Sequence, residues 1–415
     1  MTKKLAALLG WIDARFPLTA TWKTHLSEYY APKNFNFWYY FGSLALLVLV
    51  MQIVTGIVLT MHYKPDANLA FGSVEYIMRD VPWGWLIRYM HSVGASLFFV
   101  VIYLHMFRGL LYGSYRKPRE LLWIFGMLIY LCLMAEAFFG YLLPWGQMSF
   151  WGAQVIVNLF DAIPLIGPDL ALWIRGDYAI SDATLNRFFA FHVIAVPLVL
   201  LGLVAAHILA LHEVGSNNPD GIEIKKHKDP KTGIPLDGIP FHPYYTVKDM
   251  VGVMAFLIVF SIIVFFIPEM GGYFLEQNNF IPANSLQTPV HIAPLWFFTP
   301  FYSILRANTF NFFWIPAKLW GVLFMGISVI IYFFLPWLDR SPVKSIRYRG
   351  PIYKTALTLF VISFLILGYL GTKPVDPART VLAQINTVVY FLFFFLMPWY
   401  TKLDKTKAEP ERVRW

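Results

Sequence analysis

Apolar residues along this chain are gathered into long stretches, which shorter polar segments separate. A helix crosses the hydrocarbon core of a bilayer with about 20 apolar residues. Eight stretches have about that length, so we number them the first to the eighth span. The pattern predicts membrane-spanning helices at 38–62, 84–108, 121–143, 186–212, 250–268, 318–338, 355–371 and 385–401.

The spans follow one another without an obvious linker, so we expect one all-α integral membrane protein with two unequal halves. Residues 1–215 should form a tight four-helix bundle, and residues 216–415 should add four further helices. The loops at 144–185 and 269–316 are long and rich in aromatic residues. Such segments favour short amphipathic helices that lie in the membrane interface.

The loops alternate in charge. Lys and Arg concentrate in the N-terminal segment, in the loops after the second, fourth and sixth spans, and in the C-terminal tail. The loops after the first, third and fifth spans carry mainly Asp and Glu. Because cytoplasmic loops keep an excess of positive charge, we expect both chain termini in the cytoplasm.

Composition agrees with a lipid-solvated protein. Hydrophobic residues make up 58% of the chain and charged residues only 14%, whereas a soluble domain carries about 25% charged residues. The net charge of +9 then reflects topology and not a nucleic-acid surface. One cysteine, Cys132, rules out a disulfide framework and cysteine-ligated zinc or iron–sulfur centres. The first 17 residues include Asp13 and Arg15 and do not resemble a cleavable signal peptide.

Four histidines lie at paired spacings inside two spans: His91 and His105 are 14 residues apart, and His192 and His207 are 15 apart. At about 100° and 1.5 Å per residue, each pair stays near one helix face, with its members about 21–22 Å apart. Both spans run from outside to inside, so His91 should face His192 at an outer level and His105 should face His207 at an inner level. Two facing imidazoles suit a six-coordinate haem iron, although a lone intramembrane histidine can also serve packing or proton relay.

Glycines repeat the histidine spacing in the two neighbouring spans. Gly42 and Gly56 are 14 residues apart in the first span, as are Gly126 and Gly140 in the third. A porphyrin that lies edge-on against a helix needs positions without a Cβ atom. The alternative is ordinary packing of helices through small residues, but the matched spacing favours two stacked haems.

Arginines near the span ends are candidate partners for anionic haem propionates. Arg79, Arg88 and Arg187 lie towards the outer side, and Arg108 lies at the inner end of the second span. Each of them could instead be an interfacial anchor whose charged end reaches water.

Five strings around these residues carry a family resemblance that covers nearly the whole chain: GWLIRYMHSVGAS (84–96), GYLLPWGQMSFWGA (140–153), NRFFAFH (186–192), HILALHEVGSNNP (207–219) and FHPYYTVKD (241–249). Together they resemble the cytochrome b family, in its unsplit form with eight helices. The resemblance implies a subunit of a quinol–cytochrome c oxidoreductase of the bacterial inner membrane. It implies that His91 and His192 ligate a low-potential outer haem, and that His105 and His207 ligate a high-potential inner haem, both of b type.

The resemblance also implies two quinone sites. Quinol would be oxidised at an outer site, with one electron leaving to a partner protein and the other crossing through the haems to a quinone at an inner site, coupled to proton translocation. The outer-site residues would be Gly146, Gly152, Pro294, Leu295, Trp296, Phe297 and Tyr302. The inner-site residues would be His212 and Asp249, with Ser216 and Lys248 as lesser candidates.

Partner proteins follow from the same resemblance. It implies a mobile Rieske iron–sulfur protein, a membrane-anchored c-type cytochrome subunit and a homodimeric complex. The two long loops are the expected docking surface. The chain by itself offers no route for the first electron, so we expect it to be inactive outside its complex.

Two features depart from the usual family pattern. The fourth span separates its histidines by 15 residues where 14 is common, and Pro197 between them could admit a kink or bulge that absorbs the extra residue. The outer motif reads PLWF, with Leu295 in place of the usual carboxylate. Glu136 lies in the third span, four residues before Gly140, and is our candidate for the missing proton acceptor. Glu269 is the second choice, and Glu136 could instead pair with a polar group nearby.

Two other classes of protein remain possible on the residues alone. A multispan transporter also has Pro- and Gly-interrupted helices and intramembrane ionisable groups, but it would not require matched Gly and His spacings. A dihaem membrane anchor of another dehydrogenase would share the histidine pairs but has no use for the outer PWG and PLWF segments.

Overall fold

The computed structural model describes residues 3–311 and 313–414. Its α-helices, numbered in chain order, are α1 (Lys3–Asp13), α2 (Leu18–Trp22), α3 (Tyr40–Thr60), α4 (Ala70–Arg79), α5 (Gly84–Tyr112), α6 (Glu120–Leu142), α7 (Gln147–Phe160), α8 (Gly167–Arg175), α9 (Asp182–Ala190), α10 (Val196–Val214), α11 (Thr246–Phe266), α12 (Thr299–Ala307), α13 (Ala317–Ile330), α14 (Leu335–Leu338), α15 (Pro351–Gly371), α16 (Pro377–Phe395) and α17 (Met397–Leu403). π-helical turns lie at Lys23–Ser27, Phe191–Ala195 and Phe241–Tyr245, and 3₁₀ turns at Phe37–Tyr39, Ile224–Lys226, Met270–Gly272, Gln277–Phe280, Trp296–Phe298 and Ile331–Phe334. Strands β1 (Tyr30–Pro32) and β2 (Gly238–Pro240) pair antiparallel.

The predicted all-α architecture with eight spans is confirmed. Eight helical segments within the described residues are long and apolar enough to cross a membrane: Phe37–Thr60, Gly84–Tyr112, Glu120–Leu142, Asp182–Val214, Phe241–Phe266, Ala317–Leu338, Pro351–Gly371 and Pro377–Phe395. The fifth span includes the turn at Phe241–Tyr245, in which His242 has extended backbone, and its regular helix α11 begins at Thr246, before the predicted 250. The eighth ends at Phe395 instead of 401, where α17 starts with Pro398 in its first turn, a position where a missing N–H is tolerated.

The first four spans pack in two close pairs, α3 along α5 and α6 along α10, with α11 against α3 and α5. In the second half α12 packs on α13, α15 and α16, and α15 packs on α16. One buried cluster of apolar side chains continues from the first half into the second, and it includes Tyr130, Phe297 and Phe360. The two halves therefore share a core and form one body.

Both long loops contain the short helices that their composition predicts. Helices α7 and α8 occupy the loop after the third span, and α12 occupies the loop after the fifth. Helix α12 buries one face, including Phe301 and Ile304, against the second half. The loops are thus firmly packed at the outer ends of the spans.

Buried polar contacts stabilise the loops after the second, fourth and sixth spans. The Asp339 and Arg349 side chains are both fully buried and lie 2.5 Å apart, and the Tyr115 hydroxyl donates to Asp339 at 2.8 Å. Arg119 and Glu223 pair at 2.6 Å. A buried pair of this kind is costly to break, because the remaining partner is an uncompensated charge.

Candidate functional site

The four histidines of the second and fourth spans face one another in two pairs. The ring centres of His91 and His192 are 6.1 Å apart, and those of His105 and His207 are 6.4 Å apart. A metal–imidazole bond is about 2.0 Å long, so rings at these separations can each present one nitrogen to a metal ion between them. The space between the rings fits a ligated iron at both levels.

The ligand chemistry fits a porphyrin better than a bare metal ion. Among the described residues, no group of three or more His, Cys, Asp and Glu side chains converges on one point. A bare transition-metal ion generally needs three or four protein ligands, whereas the iron of a haem needs only its two axial ligands from the protein. Paired histidines at two levels suit two haems.

The four predicted glycines face the histidine rings. A Cβ atom built on each would lie close to the Cε1 atom of one histidine: at 3.4 Å for Gly42 (His105), 3.3 Å for Gly56 (His91), 3.3 Å for Gly126 (His207) and 2.4 Å for Gly140 (His192). Each glycine therefore meets a ring at the level that its spacing predicts. This arrangement favours a role at the histidine pairs over ordinary packing between helices.

At the outer level, the Nδ1 atoms have polar neighbours on the adjacent helices. The Thr55 hydroxyl of α3 lies 2.9 Å from His91 Nδ1. Both the carbonyl oxygen and the Oε1 atom of Glu136 lie 3.0 Å from His192 Nδ1. A partner at one ring nitrogen fixes the ring and leaves the other nitrogen available to a metal.

The helix accommodates the extra residue between His192 and His207 close to Pro197, where the sequence predicts a kink or bulge. The helix makes a π turn at Phe191–Ala195, immediately before the segment that contains Pro197. A π turn uses one residue more than an α turn, so a separation of 15 residues places the two rings as 14 would in a regular helix. Both rings consequently meet their partners on α5.

The candidate arginines fall into two groups. Arg108 is half-buried and lines a cavity with His105, and the charge of Arg88 lies near His91. Arg79 is exposed and pairs with Glu75 at 2.7 Å. Arg187 is also exposed, and it donates to the Trp173 carbonyl. Arg88 and Arg108 are better placed than the other two for a propionate.

A cavity of about 320 Å³ lies beside His105 and His207, at the end of the bundle predicted to face inwards, and among its other lining residues are Arg108, Ser216, Lys248 and Asp249. His212 lies beside it through Tyr29: the two rings stack at 4.6 Å, and the Tyr29 hydroxyl is 3.0 Å from Ser216 Oγ. The four predicted inner-site residues are therefore brought together at one end of the bundle.

A second cavity, of about 350 Å³, lies at the outer end. Met148, Pro294, Trp296, His291 and Glu276 are among its lining residues. The residues of the 3₁₀ turn at Gln277–Phe280 cover Gly146: a Cβ atom there would lie 2.4 Å from the Asn279 carbonyl oxygen. The loops after the third, fifth and seventh spans together form this outer cavity.

The other predicted outer-site residues have different surroundings. Phe297 is buried and stacks on Phe99 with ring centres 3.8 Å apart. Tyr302 lies under the Arg306 guanidinium at 4.6 Å. Neither of these, nor Leu295, lines the outer cavity. Gly152 lies beside Tyr141, whose Cε1 would be 3.6 Å from a Cβ atom there.

Two residues were missed by the sequence analysis: Glu276, which lines the outer cavity, and its hydrogen-bond partner Tyr141. The Tyr141 hydroxyl donates to the Glu276 carboxylate, and burial raises the pKa of Glu276 to about 8. Tyr141 lies within the string at 140–153, in which only glycines are predicted site residues. Glu276 lies in an irregular loop, where no helical or strand periodicity indicates a site. The carboxylate of Glu136, the predicted acceptor, contacts His192 and does not line the cavity; its role in proton uptake stays a prediction.

Comparison with known proteins identifies the family. Residues 26–215 match the family model described as cytochrome b/b6/petB, and residues 282–391 match that described as cytochrome b(C-terminal)/b6/petD. The chain is 66% identical to the cytochrome b of Allochromatium vinosum over 410 residues, which cover 98% of each chain. It is 49% identical to the cytochrome b of Rhodospirillum rubrum over 398 residues, covering 95% of this chain and 93% of the relative.

A solved structure agrees with the sequence relatives. One chain of a hyperthermophilic respiratory complex III superposes with a TM-score of 0.86 at 40% sequence identity, covering 95% of this chain and 99% of that one. A match over 95% of this chain includes residues of both halves of the molecule. The chain belongs to the cytochrome b family, the electron-carrying membrane subunit of respiratory complex III.

Proposed function

We propose that this chain oxidises quinol at the outer cavity, passes electrons through two b-type haems and reduces quinone at the inner cavity. The observation that carries the proposal is the pair of facing histidines at each of two levels, with ring centres 6.1 and 6.4 Å apart. Since the two levels lie on helices that cross the membrane, electron transfer between them would move charge across the bilayer.

The residues that would hold the haems are His91 with His192 and His105 with His207. When bound, each haem supplies a site that takes up and releases one electron. Thr55 and Glu136 would hold the two outer rings in position through their Nδ1 atoms. Gly42, Gly56, Gly126 and Gly140 would leave room for the macrocycles, and Arg88 and Arg108 would neutralise propionates.

At the outer cavity, quinol would lie beside Pro294 and Trp296 and lose two protons and two electrons. The Trp296 indole donates to Ser96 Oγ at 3.3 Å, and the Tyr103 hydroxyl donates to the Phe297 carbonyl at 2.5 Å. These bonds tie the PLWF segment to α5, so the segment can form a rigid wall against one face of the substrate. One electron would leave to a Rieske iron–sulfur protein and the other to the outer haem.

At the inner cavity, the quinone would be reduced beside Asp249 and His212. Both side chains can carry a proton, and they approach the cavity from opposite elements, α11 and α10. The Lys248 ammonium lies 4.8 Å from the centre of the Tyr244 ring, and Lys248 lines the same cavity as Asp249. Proton donation from these groups would come from the cytoplasmic side, as the loop charges require.

We further propose that the chain works in the bacterial inner membrane, with both termini in the cytoplasm, in a homodimer with the Rieske protein and a c-type cytochrome subunit. Residues 1–215 would form the dihaem half and residues 216–415 the half that completes the quinol site. The loops that contain α7, α8 and α12 would form the docking surface for the mobile electron acceptor, since Met148 of α7 lines the outer cavity.

One spectroscopic experiment tests the function. A reduced-minus-oxidised spectrum of the purified complex, followed through a redox titration, should give b-type bands with two midpoint potentials. His207→Asn should remove one component and leave the other. A transporter would have no haem signal, so the absence of b-type bands would overturn the proposal. A dihaem anchor of another dehydrogenase would show the bands but would not oxidise quinol with a c-type cytochrome as acceptor.

A further inference from the structure

We propose that Glu276 accepts a proton from quinol at the outer cavity, with Tyr141 as its hydrogen-bonded partner. The inference rests on the proposed quinol oxidation at this cavity and assigns one catalytic residue to it. It addresses the departure at Leu295, where the resemblance to the family implies a carboxylate.

The position of Glu276 supports this role. Its side chain is half-buried and lines the cavity that Pro294 and Trp296 also line. The sequence neighbours Gln277 and Asn278 line the same cavity and are exposed. A proton received at the Glu276 carboxyl would therefore have only one or two residues to pass before it reached outer water.

Tyr141 connects the carboxylate to the haem-facing helix. It follows Gly140, which faces His192, and its hydroxyl donates to Glu276. Its own carbonyl accepts a hydrogen bond from Ser149 Oγ at 2.5 Å, which ties it to the first turn of α7. This arrangement can hold the Tyr141 hydroxyl against the Glu276 carboxylate while that carboxylate receives protons.

The electrostatic surroundings suit a proton acceptor near neutral pH. Burial raises the pKa of Glu276 to about 8, and a general base is most effective when its pKa is close to the working pH. The other ionisable groups that line the cavity are His291, Tyr273 and Lys373. His291 Nε2 lies 3.2 Å from the Thr372 carbonyl, and Lys373 lies 5.1 Å from the Tyr369 ring centre, so both have interactions away from Glu276.

The proton step balances as follows. Quinol breaks two O–H bonds to become quinone and gives up two protons and two electrons. The proposed oxidants are the iron–sulfur protein for one electron and the ferric outer haem for the other. For the first proton, an O–H bond of quinol breaks and an O–H bond forms on Glu276, which becomes a neutral acid and then releases that proton to outer water. The ionised carboxylate then takes the second proton in the same way, so both protons leave through this residue.

The test compares Glu276→Gln with Asp169→Asn in the intact complex. Asp169 is an exposed acid in the loop after the third span and does not line the cavity. We expect Glu276→Gln to lower quinol oxidation on the order of 100-fold, the usual contribution of a general base. The wild-type rate should rise as the pH increases through about 8, the pKa of Glu276. This rise should disappear in Glu276→Gln. Asp169→Asn should keep both the wild-type rate and its rise with pH.

A second readout does not depend on turnover. Infrared difference spectra, recorded as quinol is bound and oxidised, should contain a carboxylic acid C=O band that Glu276→Gln removes. Tyr141→Phe should keep the band but move the pH rise upwards, because the carboxylate loses a donor that stabilises its charge. Glu276→Asp should restore part of the rate if the carboxyl, and not the loop, is responsible.

The outcomes separate this inference from the function on which it rests. Redox titration of Glu276→Gln should give two unchanged haem potentials, which also shows that the complex assembles. If that variant retains the wild-type pH profile and infrared band, the inference is overturned while the proposed function stands. It is also overturned if Glu136→Gln, and not Glu276→Gln, removes the pH-dependent rise.

Discussion

The contact between Gly140 and His192 gives the sharpest test of the haem assignment. A Cβ atom at position 140 would lie 2.4 Å from Cε1, 2.9 Å from Nδ1 and 3.0 Å from Nε2 of His192. Non-bonded carbon atoms prefer about 3.5–4.0 Å, so the ring would have to retreat by about 1 Å. Glu136 already holds its Nδ1 atom, and the retreat would displace the ring from a position in which it faces His91.

The free-energy cost follows from this overlap. Inserting a methyl group into a well-packed site costs about 1–3 kcal/mol, which corresponds to a roughly 5- to 150-fold loss in the affinity for haem. We expect the purified Gly140→Ala complex to contain close to one haem per copy of this chain. Its redox titration should lack the component that belongs to the outer haem. The inner component should remain, because Gly126 and His207 lie about 21 Å further along the same helices.

Two matched variants make the result interpretable. Gly202→Ala adds the same methyl group on α10, where it meets nothing within 4 Å, and should keep both haems. Gly126→Ala places a Cβ atom 3.3 Å from His207 and should weaken the inner component by less than Gly140→Ala weakens the outer one. If Gly140→Ala retains two haems with unaltered potentials, the assignment of His192 as a ligand is refuted.

Three further predictions follow. Glu136→Gln removes a carboxylate 3.0 Å from His192, so in redox titration the outer potential should rise, on the order of 50–100 mV; unchanged turnover at every pH would contradict a role for Glu136 in proton uptake. Asp249→Asn should slow reoxidation of the inner haem by quinone several-fold in stopped-flow spectra, while reduction through the outer cavity continues. Asp339→Asn leaves Arg349 buried without its partner, so thermal unfolding in detergent should show a loss of about 3–5 kcal/mol. Burial raises the pKa of Asp339, but Arg349 and Arg116 outweigh it and hold that pKa below its ordinary value, so this stabilisation is present above the unfolded-state pKa and disappears as the pH falls through the lower folded one.

The parts of the site that sit on regular helices could be predicted from the sequence. The spacing of His91 and His105 on one helix, with the matching glycines on its neighbours, follows directly from helical geometry. The bulge beside Pro197 was also predictable, because a proline inside a helix removes a backbone hydrogen bond.

The outer cavity could not be predicted in this way. Its acid, Glu276, is in a loop whose course depends on contacts with α7, such as the hydrogen bond between Asn279 Oδ1 and the Ser149 amide at 2.8 Å. No period in the sequence encodes such contacts. The position of Glu136 in an apolar span indicates a functional carboxylate, but hydropathy does not predict which residue that carboxylate faces. In the structure it faces His192.

The π turn at Phe191–Ala195 has a consequence for how such helices evolve. A one-residue insertion in an α-helix normally rotates everything beyond it by about 100°, which would turn one ligand out of the bundle. Here the extra residue is confined to one π turn. The chain can therefore gain or lose one residue at this point without turning His192 or His207 away from its partner on α5. Removing Val193 should accordingly yield a regular helix that still binds both cofactors, and related sequences of either length could exchange this segment.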